Sequence, residues 1–332
     1  MKIITESEVE KHLTLRDCIN IMEQVMISVS ERKTTLPIRQ FMPIENTNGK
    51  MAIMPGSIPN PFCFGIKLVC KYVREKNSPH GSHVGMVLLF DSDQGVPLAM
   101  IEGASLTSIR TASVSALATK YMSKKEIKSI SVLGCGEQAK RHILSMLTVR
   151  KAENIYIWGR DFEKAQLFSN KMKSKYNISV KPLYNAEEAV RNSDLICTTT
   201  SSSEPVIKGD WVQPGTHINL VGAAVPTSAE ADEILLKKSR FITDYRPAAL
   251  AAAGELLRAI DNKIVTEDHI VAEIGEVASG KIKGRNNNNE ITIYKSLGVT
   301  AQDLGAAHFL YTKSQKEDFG TFINMMDYEE QS

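Results

Sequence analysis

The sequence predicts an α/β protein, a doubly wound parallel sheet preceded by an N-terminal α+β domain. Three observations carry this. From Ile127 onward, short apolar runs alternate with amphipathic stretches, the pattern of parallel strands wrapped by helices on both faces. One such strand, Ser129-Ile130-Ser131-Val132-Leu133, runs directly into Gly134-Cys135-Gly136-Glu137-Gln138-Ala139, a G-x-G-x-x-A turn that opens a helix. Ahead of Ala104 the chain reads instead as one helix followed by hairpin-connected strands.

Taken in order, Thr14 to Asp17 has capping-box form with Asp in place of Glu or Gln, and Cys18, Ile21, Met22, Val25 and Val29 follow at helical spacing. Beyond Pro37, strands are predicted at 50–54 and 64–73, and a hairpin over 85–102 turning at Asp91-Ser92-Asp93-Gln94-Gly95. A helix over 104–121 leads to the strand ending at Leu133. Further strands are predicted at 154–158, 178–181, 194–198, 217–221 and 241–244, with helices between them and two more helices starting at Pro247 and Glu267. Residues 281–289 form a polar loop, 290–294 a last strand and 301–313 a last helix. There is no internal repeat and no long linker. The expected division is 1–118, with 301–332 packing back on it, as a substrate-binding and dimerisation domain, and 119–300 as a Rossmann domain.

The turn at Gly134 is what a dinucleotide pyrophosphate requires. Gly134 makes the tight turn, Gly136 lets the backbone approach the phosphates, and Ala139 allows close helix-to-strand packing. Glu137 and Gln138 begin the helix, whose N-terminus favours negative charge. At the end of the next strand, about 20 residues on, an acidic residue would hold the ribose 2′-OH of NAD. Here Trp158 is followed by Gly159 and Arg160, a gap and a guanidinium suited to a phosphate, so NADPH is preferred over NADH. The alternative is a solvated Arg160 with Asp161 capping the following helix. Thr198, Thr199 and Ser201 follow the fourth strand of this fold, where ligands gather, and could touch the cofactor or serve as caps.

Composition narrows the function classes. With 332 residues, 42% hydrophobic and 23% charged, the chain is long enough for two domains and an ordinary core. A net charge of +2 makes no general case for nucleic acid or a membrane surface as partner. Five cysteines, odd in number and without a C-x-x-C pair, argue against a disulfide framework and a zinc knuckle. With no apolar leader and no membrane-length run, a cytoplasmic setting is expected. His80 and His83 resemble a metal pair but lack accompanying ligands; a pocket-lining loop is the preferred reading, and no metal is expected.

Three cations stand where a solvated surface does not need them. Lys67 lies within the apolar strand Phe64-Gly65-Ile66-Lys67-Leu68-Val69-Cys70, where the plain reading is an edge-strand lysine that blocks pairing. Arg39 follows Leu36-Pro37-Ile38. Arg110 is surrounded by the small residues Thr107, Ser108, Thr111, Ala112 and Ser113, which leave it room to reach inward. Singly each is modest; together two guanidiniums and an ammonium could fix a carboxylate.

These segments carry a resemblance. Pro37-Ile38-Arg39, Met54-Pro55-Gly56, Gly65 to Val69, Leu88 to Asp91, Gly95 to Ala99, Arg110 to Ala116, Gly134 to Gly136, Val221-Gly222-Ala223 and Ile291 to Gly298 stand in the order found in the ornithine cyclodeaminase and mu-crystallin family, which the sequence resembles over nearly its whole length. The resemblance implies a homodimer formed through the N-terminal sheets, and an active site between that domain and the Rossmann domain. It also implies that Arg39, Lys67 and Arg110 bind the carboxylate of an amino acid or imine, and that Val221 and Ser296 lie near the cofactor. Cyclodeaminases and the related alanine dehydrogenase carry an Asp two residues before the Pro of a G-[AS]-D-x-P-type turn. Here the turn reads Gly222-Ala223-Ala224-Val225-Pro226, and Ala224 cannot act as a base. Ornithine cyclisation needs a carboxylate to move protons, whereas imine reduction needs a carboxylate clamp and a hydride donor. Glu230 and Asp232, farther along, read as surface residues.

The resulting expectation is an NADPH-dependent reductase of pyrroline-2-carboxylate or piperideine-2-carboxylate, with Lys67 as the candidate catalytic group. The alternatives are an ornithine cyclodeaminase, amino-acid dehydrogenase or hydroxyproline dehydratase, and, from another class, a non-catalytic crystallin-like NADPH- and ligand-binding protein.

Overall fold

The computed structural model describes residues 1–74, 78, 80–81 and 83–324. The chain opens with strand β1 (Lys2–Ile4), helix α1 (Glu6–His12) and helix α2 (Leu15–Ser30). Thr14 caps α2 by accepting a hydrogen bond from the Asp17 amide at 3.1 Å, and Cys18, Met22, Val25, Met26 and Val29 bury one face of the helix. Strands β2 (Gln40–Pro43), β3 (Lys50–Pro59), β4 (Phe62–Lys71), β5 (His83–Asp91) and β6 (Pro97–Glu102) follow. The β5–β6 hairpin turns where predicted: the Asp91 carboxylate accepts the amides of Asp93 and Gln94, and Gly95 takes φ +71°. Helix α3 (Gly103–Met122) comes next.

Strand and helix then alternate as predicted, except that residues 199–216, expected to hold a helix, form a loop. Strand β7 (Ser129–Leu133), α4 (Glu137–Val149), β8 (Asn154–Trp158), α5 (Phe162–Tyr176), β9 (Lys181–Leu183), α6 (Ala186–Arg191), β10 (Leu195–Thr198) and β11 (His217–Leu220) form the first part. They are followed by α7 (Glu233–Lys238), β12 (Ser239–Thr243), α8 (Arg246–Ala252), α9 (Gly254–Asp261), β13 (Ile270–Glu273), α10 (Ile274–Ala278) and β14 (Ile291–Lys295). All pairings are parallel, in the order β13-β12-β14-β11-β10-β7-β8-β9. Strands β7, β10, β11 and β14 are buried at every position, as a parallel sheet covered on both faces requires. The chain winds outward from β7 in one direction and returns to β10 on its other side, so the topological switch point lies between β7 and β10.

Helix α11 (Thr300–Glu317) and strand β15 (Thr321–Phe322) return to the first sheet, whose order is β15-β1-β6-β5-β4-β3-β2. Helix α11 packs against α2 and on β3, β4 and β5. The chain thus divides into two units, Met1–Arg110 with the chain from Val299 onward, and Thr111–Gly298. The boundaries fall at 110 and 299 rather than at 118 and 301, the first of them inside α3. Among the described residues, no helix is long and apolar enough to cross a membrane.

Several element readings are corrected. The strand expected at 178–181 begins at Lys181, because α5 runs to Tyr176 and Asn177 ends it in the left-handed region at φ 55°. The helix expected from Glu267 is a single 3₁₀ turn, Glu267–His269, leading into edge strand β13. Strands β1, β2 and β15 and helix α1 carry too few periodic residues to be read from sequence.

Candidate active site

Five adjacent parallel strands bring the candidate cofactor residues to one edge of the second sheet. Gly134 and Gly136 follow β7, Gly159 and Arg160 follow β8, Thr198 ends β10 and Thr199 follows it, Val221 follows β11, and Ser296 follows β14. This is the carboxyl edge at the switch point, where open α/β sheets bind ligands.

The turn itself fits a dinucleotide. Gly134 takes φ +115° and donates to the Trp158 carbonyl at 2.8 Å. A Cβ at Gly136 would meet nothing within 4 Å, so this N-cap of α4 faces open space, and no side chain caps the helix. Ala139 is fully buried against the strand. The buried Oε1 of Gln138 has no partner among the described residues. Glu137 is balanced locally: Lys140 Nζ and Arg141 Nε lie 2.5 and 2.9 Å from its Oε1. Gly159 serves the turn as well, because a Cβ there would stand 2.6 Å from Cys135 Sγ. Arg160 is exposed with no partner among the described residues, while Asp161 caps α5 by accepting the Lys164 amide at 3.2 Å. Thr199 donates to the Leu133 carbonyl at 3.2 Å, and Thr198, fully buried, donates to Glu230 at 2.7 Å. Its hydroxyl therefore serves a carboxylate inside the protein.

Glu230 corrects the sequence reading most sharply. It is fully buried, and its carboxylate accepts from Thr198 Oγ1, Thr200 N, Thr200 Oγ1, Gly222 N and Ala223 N at 2.7 to 3.2 Å. It ties the loop after β10 to the turn after β11. A ring closes behind it: the Glu230 amide donates to Glu255 Oε1 at 3.0 Å, Lys295 Nζ donates to the same oxygen at 3.1 Å, and Lys295 also donates to the Ala223 carbonyl at 2.5 Å. The Gly222-Ala223-Ala224 turn is thus held through the Gly222 and Ala223 amides and the Ala223 carbonyl. Asp232, half-buried, caps α7 and accepts the Gly209 amide at 2.9 Å. Ala224 packs against the apolar core. Glu230 does not replace the missing Asp as a base, because its lone pairs are already engaged.

In the first unit, the structure gathers the cations. Strand β4 lies inside the sheet, between β3 and β5, so Lys67 is not an edge lysine. Lys67 is 2% exposed and Arg110 4% exposed, and both converge on Asp303 of α11. Lys67 Nζ and Arg110 Nε donate to the same oxygen, Asp303 Oδ1, at 2.9 and 3.0 Å. Arg110 Nη1 donates to Gln302 Oε1 at 2.6 Å. Burial pushes the Lys67 ammonium down to about 8; the Asp303 carboxylate opposes this, and Arg110 and half-buried Arg39 add to it. Arg39 is therefore within electrostatic reach of the cluster. Asp303 and Gln302 were not singled out from sequence. Their only signal is a polar pair at the apolar start of a helix, and what buries them comes from β4 and α3.

His83 begins β5. Its imidazole is held down to about 4 by the protein around it and by Lys71, Lys67 and Lys50. Pro79 and Ser82 of the proposed pocket loop lie outside the described residues. Among the described residues, no three metal-ligating side chains gather.

Residues 1–318 match the family model described as "Ornithine cyclodeaminase/mu-crystallin family". The chain belongs to this family. A Delta(1)-pyrroline-2-carboxylate reductase of Bacillus cereus is 32% identical over 327 residues, covering 97% of this chain and 99% of the relative. The structure of the Thermococcus litoralis Delta(1)-pyrroline-2-carboxylate reductase in complex with NADH and L-proline superimposes with a TM-score of 0.93 at 31% identity, covering 97% of this chain and all of the other. An archaeal alanine dehydrogenase dimer with bound NAD follows at TM-score 0.91 and 28% identity, covering 98% and 99%.

Proposed function

We propose that the chain reduces a small cyclic imino acid, pyrroline-2-carboxylate or piperideine-2-carboxylate, to proline or pipecolate, with NADPH as the preferred donor. Its class, an oxidoreductase acting on a C=N bond, is supported by the likeness to pyrroline-carboxylate reductases over the full chain. The observation that carries the substrate reading is the cluster itself. Lys67 and Arg110 supply two positive charges and Asp303 one negative charge, leaving an excess that favours an incoming carboxylate. Arg110 uses Nε and Nη1 internally and retains Nη2 for such a ligand.

When bound, the dihydronicotinamide would supply hydride to the imine carbon. The residues of the chain orient and protonate. Arg39 and Arg110 would hold the substrate carboxylate, and Lys67, with an ammonium that releases its proton near neutral pH, would provide the proton for the ring nitrogen. The turn after β7 would hold the pyrophosphate through open backbone amides. The absence of a free carboxylate at Ala224 favours reduction over ornithine deamination, since nothing on that turn can draw protons from an amine.

NADPH is favoured by Arg160, which follows β8 and is exposed with no partner among the described residues. A homodimer is favoured by the outer face of the first sheet. Alternate residues of β4 point away from the core, with Phe62 66% exposed and Phe64 37% exposed, and exposed Val84 and Met86 continue the face in register on β5. A contiguous apolar sheet face of this kind is the signature of an interface.

Arg110→Ala tests the substrate clamp. It is expected to raise KM for the imino acid at least about tenfold while leaving NADPH affinity unchanged. Unchanged imine kinetics in that variant would remove Arg110 from the site.

A further inference from the structure

Asp303 is fully buried, and its two oxygens are unequal. Oδ1 takes both cations, at 2.9 Å from Lys67 and 3.0 Å from Arg110. Oδ2, also buried, has no hydrogen-bond partner among the described residues. An engaged but incompletely satisfied buried carboxylate is costly, and an apolar residue at this helix position would pack without that cost. Among the described residues, the Lys67 ammonium forms its ion pair with Asp303, while the cations nearest it oppose its protonation. Those cations are Arg110 of α3 and Arg39 ahead of β2; His83 of β5 also feels the Lys67 charge, together with those of Lys71 and Lys50, but its imidazole, held down to about 4, is neutral near pH 7.

We propose that Asp303 is a positioning residue that holds the Lys67 ammonium in place and charged, so that it can deliver the proton that imine reduction consumes. The inference rests on the imine-reductase reading above. In that reaction the imine carbon gains hydride, with its two electrons, from the nicotinamide donor. The C=N π bond opens, the ring nitrogen takes a proton from Lys67, and the resulting neutral amine is reprotonated from water. Asp303 touches none of the reacting atoms and acts through Lys67. The pair also explains the tuning of the lysine. Burial and neighbouring cations bring its proton affinity down toward neutrality, and Asp303 limits the fall to about 8.

Asp303→Asn keeps the shape of the side chain and removes its charge. The expected result is a basic limb of the kcat/KM profile for pyrroline-2-carboxylate that moves down by about one to three pH units. At pH 8, kcat should fall at least about fivefold and recover as the pH is lowered toward 6, with KM unchanged or lower because the cluster is then more positive. Asp303→Glu, which keeps the charge, should leave the limb near its wild-type position, and Asp303→Ser gives the same reading as asparagine should that variant not fold. Independently of turnover, the Lys67 Cε resonance in lysine-labelled protein, assigned by its loss in Lys67→Met, should titrate at lower pH in Asp303→Asn. Loss of activity with an unmoved limb and an unmoved Lys67 titration would overturn the proposal and leave Asp303 a structural residue only. If wild type reduces no imine, the reductase reading fails, while the Lys67 titration still decides whether Asp303 holds its charge.

Discussion

Gly134 and Thr199 approach so closely that a Cβ on Gly134 would stand 2.6 Å from the Thr199 carbonyl oxygen. Gly136, two residues on, has open space in the same test. The two glycines of one motif therefore answer to different constraints. Gly134→Ala meets both a backbone collision and φ +115°, and is expected to lower stability by about 1–3 kcal/mol. Gly136→Ala should leave the melting temperature within a degree or two and weaken dinucleotide binding at least about tenfold, because its methyl enters the space that the phosphates need. Thermal melts paired with NADPH fluorescence titrations check both, and equal melting temperatures for the two variants would contradict this division.

Arg160→Ala separates the two cofactors. Loss of a charge-assisted contact should weaken NADPH about tenfold while NADH affinity changes little. If both cofactors weaken equally, or neither does, Arg160 does not read the 2′-phosphate.

Glu230→Ala strips five acceptor contacts from the loop after β10 and the turn after β11. Several buried donors are left unsatisfied, so the expected loss is at least about 3 kcal/mol, read as a lower urea midpoint at unchanged m. A loss below about 1 kcal/mol would mean that water or a shifted chain replaces the carboxylate at little cost.

Much of this framework is legible in the sequence because local chemistry dictates it. The Gly134 turn, the Asp91–Gly95 hairpin and the capped helix α2 each depend on residues within a few positions of one another. Lys67 shows itself by standing in an otherwise apolar strand, and Lys295, closing Ile291-Thr292-Ile293-Tyr294, carries the same signal. Glu230 does not, since Ser228-Ala229-Glu230-Ala231-Asp232 looks like any polar surface stretch. Its burial is decided by Thr198, Thr200 and Gly222, which arrive from elsewhere in the chain. Asp303 is hidden in the same way, with Lys67 lying 236 residues before it. The misread segment after Glu267 has another cause: Ile270, Ile274 and Val277 satisfy helical spacing, yet Ile270 and Ala272 are buried and Val271 is exposed, as on an edge strand.

The double variant Phe62→Glu, Leu68→Glu tests the proposed dimer. Charges on the outer face of β4 should convert a dimer to monomers in sedimentation velocity without lowering the helical content. A wild-type protein that sediments as a monomer at micromolar concentration would contradict the interface.

The most direct test of the central claim is NADPH oxidation by the purified protein with pyrroline-2-carboxylate and piperideine-2-carboxylate, run beside L-ornithine supplied with NAD⁺. The account predicts rapid NADPH consumption with at least one of the two imino acids, yielding proline or pipecolate, and no ammonia from ornithine. Brisk proline formation from ornithine, or tight NADPH binding with no turnover of either imine, would contradict it.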